Sequence, residues 1–273
     1  MINNYVLVFC FLIFTSVIIF LSREKQHKNW KIFLIINVLL VLCFIGLFYF
    51  KSKNNLLTLL FDWLPLILIL FFYQTAGLLS RAFHDNPLDN YIIQFEKKWF
   101  GDKNPSIRLS EVFHFYWLSE LLHLCYLSYF LLLYGVPFYF YCQHDYAAFY
   151  QFEFAELLIL LSAFLTHSVV PVLSPRTLFE KIQSPMRYGL IYRATHAIVQ
   201  SGSADGTAFP STHVAIGTLM LLMAFHMHTV FFYGVALLAL GLIICTVYGR
   251  FHYVVDLLAG MVYGCVVFMI LYF

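Results

Sequence analysis

The sequence predicts an all-α, polytopic membrane protein, a helical bundle of about eight transmembrane helices. Three observations carry this prediction. Of the 273 residues, 62% are hydrophobic and only 11% are charged, a balance that leaves too little polar surface for a water-soluble domain. Apolar runs of roughly 20 residues, the length that crosses a bilayer core as a helix, recur along the whole chain. The Pro and Gly residues mark the ends of those runs and the loops between them more than linkers, so one membrane domain is the economical description.

Each element follows in order. Spans over 3–22 and 32–50 contain almost no polar residues and flank a basic loop, Arg23 to Lys31. The first lacks a basic leader and a small-residue cleavage site, so it reads as a retained anchor. Residues 1–55 are therefore expected to form two accessory anchor helices, and 56–273 the working domain. A third span covers 56–80 and is followed by a polar connection from Arg81 to Glu111, too long for a turn. Within it Leu88, Tyr91, Ile92, Phe95 and Trp99 recur at helical spacing, with Asp89, Asn90, Gln94, Lys97 and Lys98 between them. That pattern describes either an interfacial amphipathic helix or a short helix packed on the bundle. Further spans are expected over 113–141, 152–172, 211–229, 231–249 and 253–272.

Composition also excludes function classes. The net charge of +2 is small and dispersed, which gives no nucleic-acid surface. Cys10, Cys43, Cys125, Cys245 and Cys265 fall within the expected spans and Cys142 near a loop, so neither a disulfide framework nor a zinc spacing follows. No metal site and no cofactor is expected.

The chemistry concentrates in Phe209-Pro210-Ser211-Thr212-His213 and Arg250-Phe251-His252-Tyr253-Val254-Val255-Asp256. His213 and His252 stand 39 positions apart, nearly the length of two spans, so the chain crosses and returns and both reach one membrane face. Pro210 suits a helix start and Ser211 or Thr212 can cap it, which makes the Ser211 turn a candidate phosphate seat. His252 and Asp256, four apart, share a helical face; the carboxylate can fix one imidazole nitrogen while the other attacks. His213 is placed to protonate a leaving oxygen. Arg176 and Arg250, on the same face, are candidate clamps for phosphoryl oxygens. Glu120 and His123, three apart in an apolar span, can pair, line the cavity, contact an acceptor head group or lock two helices. The remaining interfacial histidines, His27, His84, His114, His144, His226 and His228, read as ordinary polar residues.

These motifs resemble the type-2 phosphatidic acid phosphatase superfamily, and within it the inositol phosphorylceramide synthase-like branch. Phe209 to His213 is similar to the family's Pro-Ser-x-His element, whose histidine acts as the acid. Thr246 to Asp256, followed by Leu257-Leu258-Ala259-Gly260, resembles the branch's final element, with a nucleophilic histidine and an orienting aspartate. Pro171-Val-Leu-Ser-Pro-Arg176 is similar to a Pro-rich element ending in a phosphate-binding arginine. The resemblance is closest over 171–264, looser over 63–134, and does not reach the first two spans. It implies a six-helix phosphatase-like core and a metal-free reaction through a phosphohistidine. The substrate would be a lipid phosphate or phospholipid, with water or a lipid alcohol as acceptor. Two basic positions of the phosphatases are missing: there is no Lys-x6-Arg-Pro element, and Thr246 stands where an arginine precedes the nucleophile by six residues. This favours a transferase over a plain phosphatase.

Three rivals are weaker. A transporter would show repeated halves with interrupted helices, a di-metal oxidase would need several close histidine boxes, and a dead scaffold would not need an intact His213, His252 and Asp256. Orientation is contested. Most loop arginines and lysines, including Arg23, Lys25, Lys28, Lys31, Arg81, Lys97, Lys98 and Lys181, lie on the histidine face, with Lys51 and Lys53 opposite. The positive-inside rule makes that face cytoplasmic, whereas the resemblance implies a periplasmic or lumenal one.

Overall fold

The computed structural model describes residues 2–24, 30–51, 54–180, 182 and 185–272. Lys25, His27, Lys28, Lys53 and Lys181 lie outside the described residues. Among the described residues the architecture is all-α, with one isolated parallel bridge between Val172 and Thr207.

The helices are α1 (Ile2–Leu21), α2 (Trp30–Phe50), α3 (Asn55–Ile67), α4 (Ile69–Leu79), α5 (Asp89–Phe100), α6 (Pro105–Val112), α7 (Tyr116–Leu127), α8 (Tyr129–Cys142), α9 (Tyr146–Val169), α10 (Pro175–Leu178), α11 (Leu190–Gly202), α12 (Thr212–Met227), α13 (Val230–Tyr248) and α14 (Val254–Tyr272). Among the described residues, six helical segments are long and apolar enough to span a bilayer, with α3 and α4 forming one of them. The pair α7 and α8 makes a seventh, bent by 45°. The 16-residue α12 is the eighth apolar segment and the shortest; it rises only about 24 Å, against roughly 30 Å of hydrocarbon. All eight expected segments are therefore helical, and the expected 113–141 span is broken in two.

The break follows from local chemistry. The Ser128 hydroxyl donates back to the Cys125 carbonyl at 2.6 Å, a bond that competes with the helical ladder and bends it. Helix starts elsewhere carry side-chain caps: Asn54, Asn104, Asp145, Ser211 and Thr229 each accept from a backbone N–H in the first turn.

One apolar core runs from α1 through α4, α7, α8, α9, α12, α13 and α14. Helix α1 is integral to it, with Val8, Phe11 and Leu12 buried and Asn4 Nδ2 donating to Glu153 Oε2 at 2.6 Å. Helix α2 is peripheral, burying only Asn37 and Phe44. In a bilayer such buried polar pairs fix one helix against another where apolar side chains alone give little preference. The order of crossings places the ends of α4, α9 and α13, the starts of α12 and α14, and the short helices α5, α6, α10 and α11 on one face.

The Arg81–Glu111 connection forms α5 and α6. Helix α5 packs on the bundle with the face that bears Asp89, Ile92 and Glu96, and turns Tyr91, Phe95 and Trp99 outward. The packing of α5 on the bundle fits the second reading of its amphipathic pattern.

Candidate active site

The turn between α13 and α14 sets the geometry. Helix α13 ends with Phe251 N–H on the Thr246 carbonyl (2.9 Å) and Arg250 N–H on the Val247 carbonyl (3.0 Å). This is a Schellman closure, which requires a left-handed residue, and Arg250 supplies it with φ of 59°. A non-glycine residue there costs about 1–2 kcal/mol. The offset is visible: the guanidinium donates to Ser110 Oγ at 3.0 and 2.8 Å and to the Glu180 carbonyl at 2.7 Å. The left-handed conformation therefore turns Arg250 onto α6, away from the cavity. Its sequence assignment as a phosphate ligand is corrected: Arg250 braces the turn.

Immediately beyond, His252 sits with Nδ1 3.3 Å from Asp256 Oδ2, and the same oxygen accepts the Tyr253 N–H at 3.0 Å. Asp256 is wholly buried and its Oδ1 has no hydrogen-bond partner. Burial pushes the His252 imidazole down to about 3, with the Ala208 carbonyl acting against this and the Arg176 guanidinium adding to it. At neutral pH the ring is an uncharged base.

His213, in the first turn of α12, faces it, the two rings 5.9 Å apart between centroids. Tyr126 stacks on His213 at 4.9 Å and Tyr129 packs against it at a tilt, 4.2 Å between centroids, so the bend between α7 and α8 delivers an aromatic clamp. His213 Nδ1 is buried without a partner. Ser211 is not part of the opening: its hydroxyl accepts from Val214 N–H as the α12 cap, and its own N–H donates to the Asp256 carbonyl. The expected Ser211 phosphate seat is corrected accordingly, and Thr212 and His213 are the residues of that turn that line the cavity.

Arg176 does line it. The Pro171–Arg176 segment docks on the Schellman turn through Arg176 N–H to the Arg250 carbonyl (2.9 Å) and Ser174 Oγ to the Phe251 carbonyl (2.6 Å). The guanidinium then reaches across to Ser203 Oγ at 2.7 Å. Val172 pairs with Gly206 and Ala208, which ties this segment to the loop leading to Pro210. Gly206 is required there, since φ is 76° and a Cβ would lie 2.6 Å from that of Ser80.

The cavity between the two histidines holds about 220 Å³. Its wall carries His213, His252 and Arg176 together with Ile69, Leu70, Phe130 and Leu133 from α4 and α8. Among the described residues, Arg176 is the one lysine or arginine on its wall. Glu120 and His123 do not line it, which corrects the cavity alternative for them. Glu120 accepts from Ile191 and Tyr192 N–H at 3.0 and 2.9 Å, filling the start of α11, and His123 Nδ1 donates to the Ser119 carbonyl at 2.7 Å. Among the described residues no cluster of three or more His, Cys, Asp or Glu side chains is arranged to hold a metal ion.

Three residues near the site are not among the site residues the sequence singles out. His167, at the end of α9, is fully buried and donates through Nε2 to the Pro210 carbonyl at 3.3 Å, supporting the loop before His213. Asp89 and Glu96 of α5 point inward beneath the His252 turn. Burial raises both above the usual carboxylate range, held back by the N–H and side-chain donors they accept from. Their spacing of seven, two turns on one face, was the available signal.

No curated protein and no solved structure matches the chain. A family model described as PAP2 superfamily matches residues 90–270, about two thirds of the chain, which takes in His213, His252, Asp256 and Arg176 but not the α4 part of the cavity wall. The chain is thus a multi-pass membrane protein that belongs to the PAP2 superfamily, the lipid phosphatase and phosphotransferase type.

Proposed function

We propose that this chain is a lipid phosphotransferase that moves a phospho-head group between lipids through a phosphohistidine on His252, in the manner of an inositol phosphorylceramide synthase. The observation that carries the reading is the pair of facing imidazoles, His252 backed by Asp256 and His213 opposite, on the wall of an apolar cavity. With Nδ1–H directed at Asp256, Nε2 of His252 attacks the phosphorus, and its bond to the departing lipid oxygen breaks as His213 gives that oxygen a proton. An acceptor hydroxyl then attacks the phosphohistidine, passes its proton to His213 and frees His252. Arg176 holds the non-bridging oxygens.

Charge supports a phosphodiester donor over a phosphomonoester. A monoester carries close to two negative charges at neutral pH and a diester one. Two basic positions of the phosphatase pattern are missing from the sequence, Thr246 uses its hydroxyl on the Ile243 carbonyl, and Arg250 is turned away. A single guanidinium balances a diester. His252, 6% exposed on the wall of an apolar pocket, also sits where water is kept from the phosphohistidine, which favours transfer over hydrolysis. The phosphatase is the second reading, and the proposal puts the active face on the periplasmic or lumenal side, as the family resemblance implies.

The test is to incubate purified, detergent-solubilised protein with labelled phosphatidylinositol or phosphatidic acid, with and without ceramide or diacylglycerol, beside His252→Ala. A His252-dependent, ceramide-dependent phosphodiester product from phosphatidylinositol is expected, and excess chelator should leave it unchanged. Inositol phosphate from phosphatidylinositol, or free phosphate from phosphatidic acid, as the sole His252-dependent product would replace the transferase by a hydrolase, and equal products from His252→Ala would remove both.

A further inference from the structure

Helix α5 carries two buried carboxylates that the proposed chemistry does not use. Asp89 is 4% exposed and Glu96 1%, and they stand two turns apart on the inward face, with Ile92 between them in a small apolar cluster with Val172, Ala208 and Tyr253. Their partners are telling. Asp89 Oδ1 accepts the Tyr253 hydroxyl at 3.1 Å and Oδ2 the Leu173 N–H at 2.8 Å. Glu96 Oε1 accepts the Val255 N–H at 3.1 Å and Oε2 the Asn104 side-chain amide at 2.7 Å. Tyr253 and Val255 follow His252 along the chain, and Leu173 lies three residues before Arg176. One rigid helix therefore grips both the turn that carries the imidazole and the segment that carries the guanidinium.

Burying two carboxylates is expensive, and it is offset here only because their oxygens accept two backbone N–H groups, a hydroxyl and a side-chain amide. A network of fully engaged acceptors specifies one arrangement of the backbone it holds. We propose that Asp89 and Glu96 are positioning residues, which fix the His252 turn and the Arg176 segment relative to each other for in-line attack on phosphorus. This rests on the reading of His252 as the nucleophile. It assigns α5 a task inside the site in addition to its outward aromatic face.

Orthovanadate, which adopts the trigonal bipyramid of phosphoryl transfer when a nucleophile is correctly placed, probes this without knowledge of the lipid. Its affinity is measured by calorimetry on the detergent-solubilised protein, with melting recorded in parallel. The wild type should bind and His252→Ala should not. Asp89→Ala and Glu96→Ala should bind about 10²-fold more weakly while remaining folded, the loss expected of a misplacement near 1 Å. Asp89→Asn and Glu96→Gln keep an acceptor for Leu173 and Val255 N–H and should recover to within about tenfold of wild type. Should an alanine variant fail to fold, Tyr253→Phe removes only the hydroxyl that Asp89 accepts and should weaken binding several-fold. Wild-type affinity in the folded alanine variants, or in Tyr253→Phe, overturns the positioning role and leaves the nucleophile reading intact. Wild-type affinity in His252→Ala overturns the nucleophile reading itself.

Discussion

Helices α12 and α14 carry the two halves of the site, and two glycines set their separation. A Cβ on Gly260 would lie 2.5 Å from the Ser211 carbonyl oxygen and 2.9 Å from Val214 Cβ, and one on Gly264 would lie 2.6 Å from the Ala215 carbonyl oxygen. Ordinary contact begins near 3.4 Å, so Gly260→Ala must move α12 and α14 apart by about 0.9 Å. His213 is two residues beyond Ser211, and Asp256 is one turn before Gly260, so the displacement acts directly across the histidine pair. Overpacking of this kind costs about 1–3 kcal/mol, of which the better helix propensity of alanine returns about 0.5–1 kcal/mol. Stability should therefore change modestly, whereas a shift near 1 Å should lower turnover about 10²-fold. Gly234, in α13, has nothing within 4 Å of its Cβ position and is the control; Gly234→Ala should be neutral or slightly stabilising. The assay pairs melting in detergent with His252-dependent phosphoryl transfer from labelled lipid. Gly260→Ala with the turnover of Gly234→Ala would refute the claim that this helix contact sets the spacing of the histidines.

Three further outcomes are expected. Asp256→Asn should lower turnover by about 10²- to 10⁴-fold, as loss of an orienting carboxylate does in other histidine-based sites, with the protein still folded by size-exclusion; near-wild-type turnover contradicts the role given to Asp256. The two arginines should separate: Arg176→Lys should reduce turnover by about 10²–10³-fold with little change in melting, whereas Arg250→Lys, which disturbs three hydrogen bonds, should lower stability by about 1.5–3 kcal/mol. Identical profiles for the two variants would erase that distinction. On pH, the His252 pKa lies below its unfolded value of about 6.5, so the unfolded chain binds the extra proton first. Its contribution is complete above about pH 6.5 and is lost as pH falls toward 3; the decline in melting temperature over that window should be shallower in His252→Ala, and an unchanged slope contradicts the burial argument.

Much of this was legible in the residues because membrane helices and the two histidine motifs are local signals. Apolar run length alone gave the eight segments, and the four-residue spacing of His252 and Asp256 gave their contact. Arg250 departs from the expected clamp because its backbone is left-handed, and nothing in a Gly-Arg-Phe-His string announces a Schellman closure with arginine in the glycine position. Ser211 had two compatible uses, cap and ligand, and only the Val214 N–H decides between them. Glu120 fits the helix-locking alternative among those its spacing from His123 allows, but the helix it locks onto, α11, begins about 70 residues away and is not named by that spacing. Asp89 and Glu96 were masked by the aromatic pattern of the same helix, whose outward side is louder than its inward one. The break at Ser128 depends on one hydroxyl bonding backwards, which hydropathy does not register.

The central claim is a covalent phosphohistidine on His252. Phosphohistidine is stable in alkali and labile in acid, so the purified protein is mixed with ³²P-labelled phosphatidylinositol or phosphatidic acid, quenched in alkaline detergent within milliseconds to seconds, and digested for mass spectrometry. The account predicts an acid-labile label on the peptide containing His252, absent from His252→Ala and discharged by the acceptor lipid. Turnover without label, or a label on another residue that persists in His252→Ala, would contradict it.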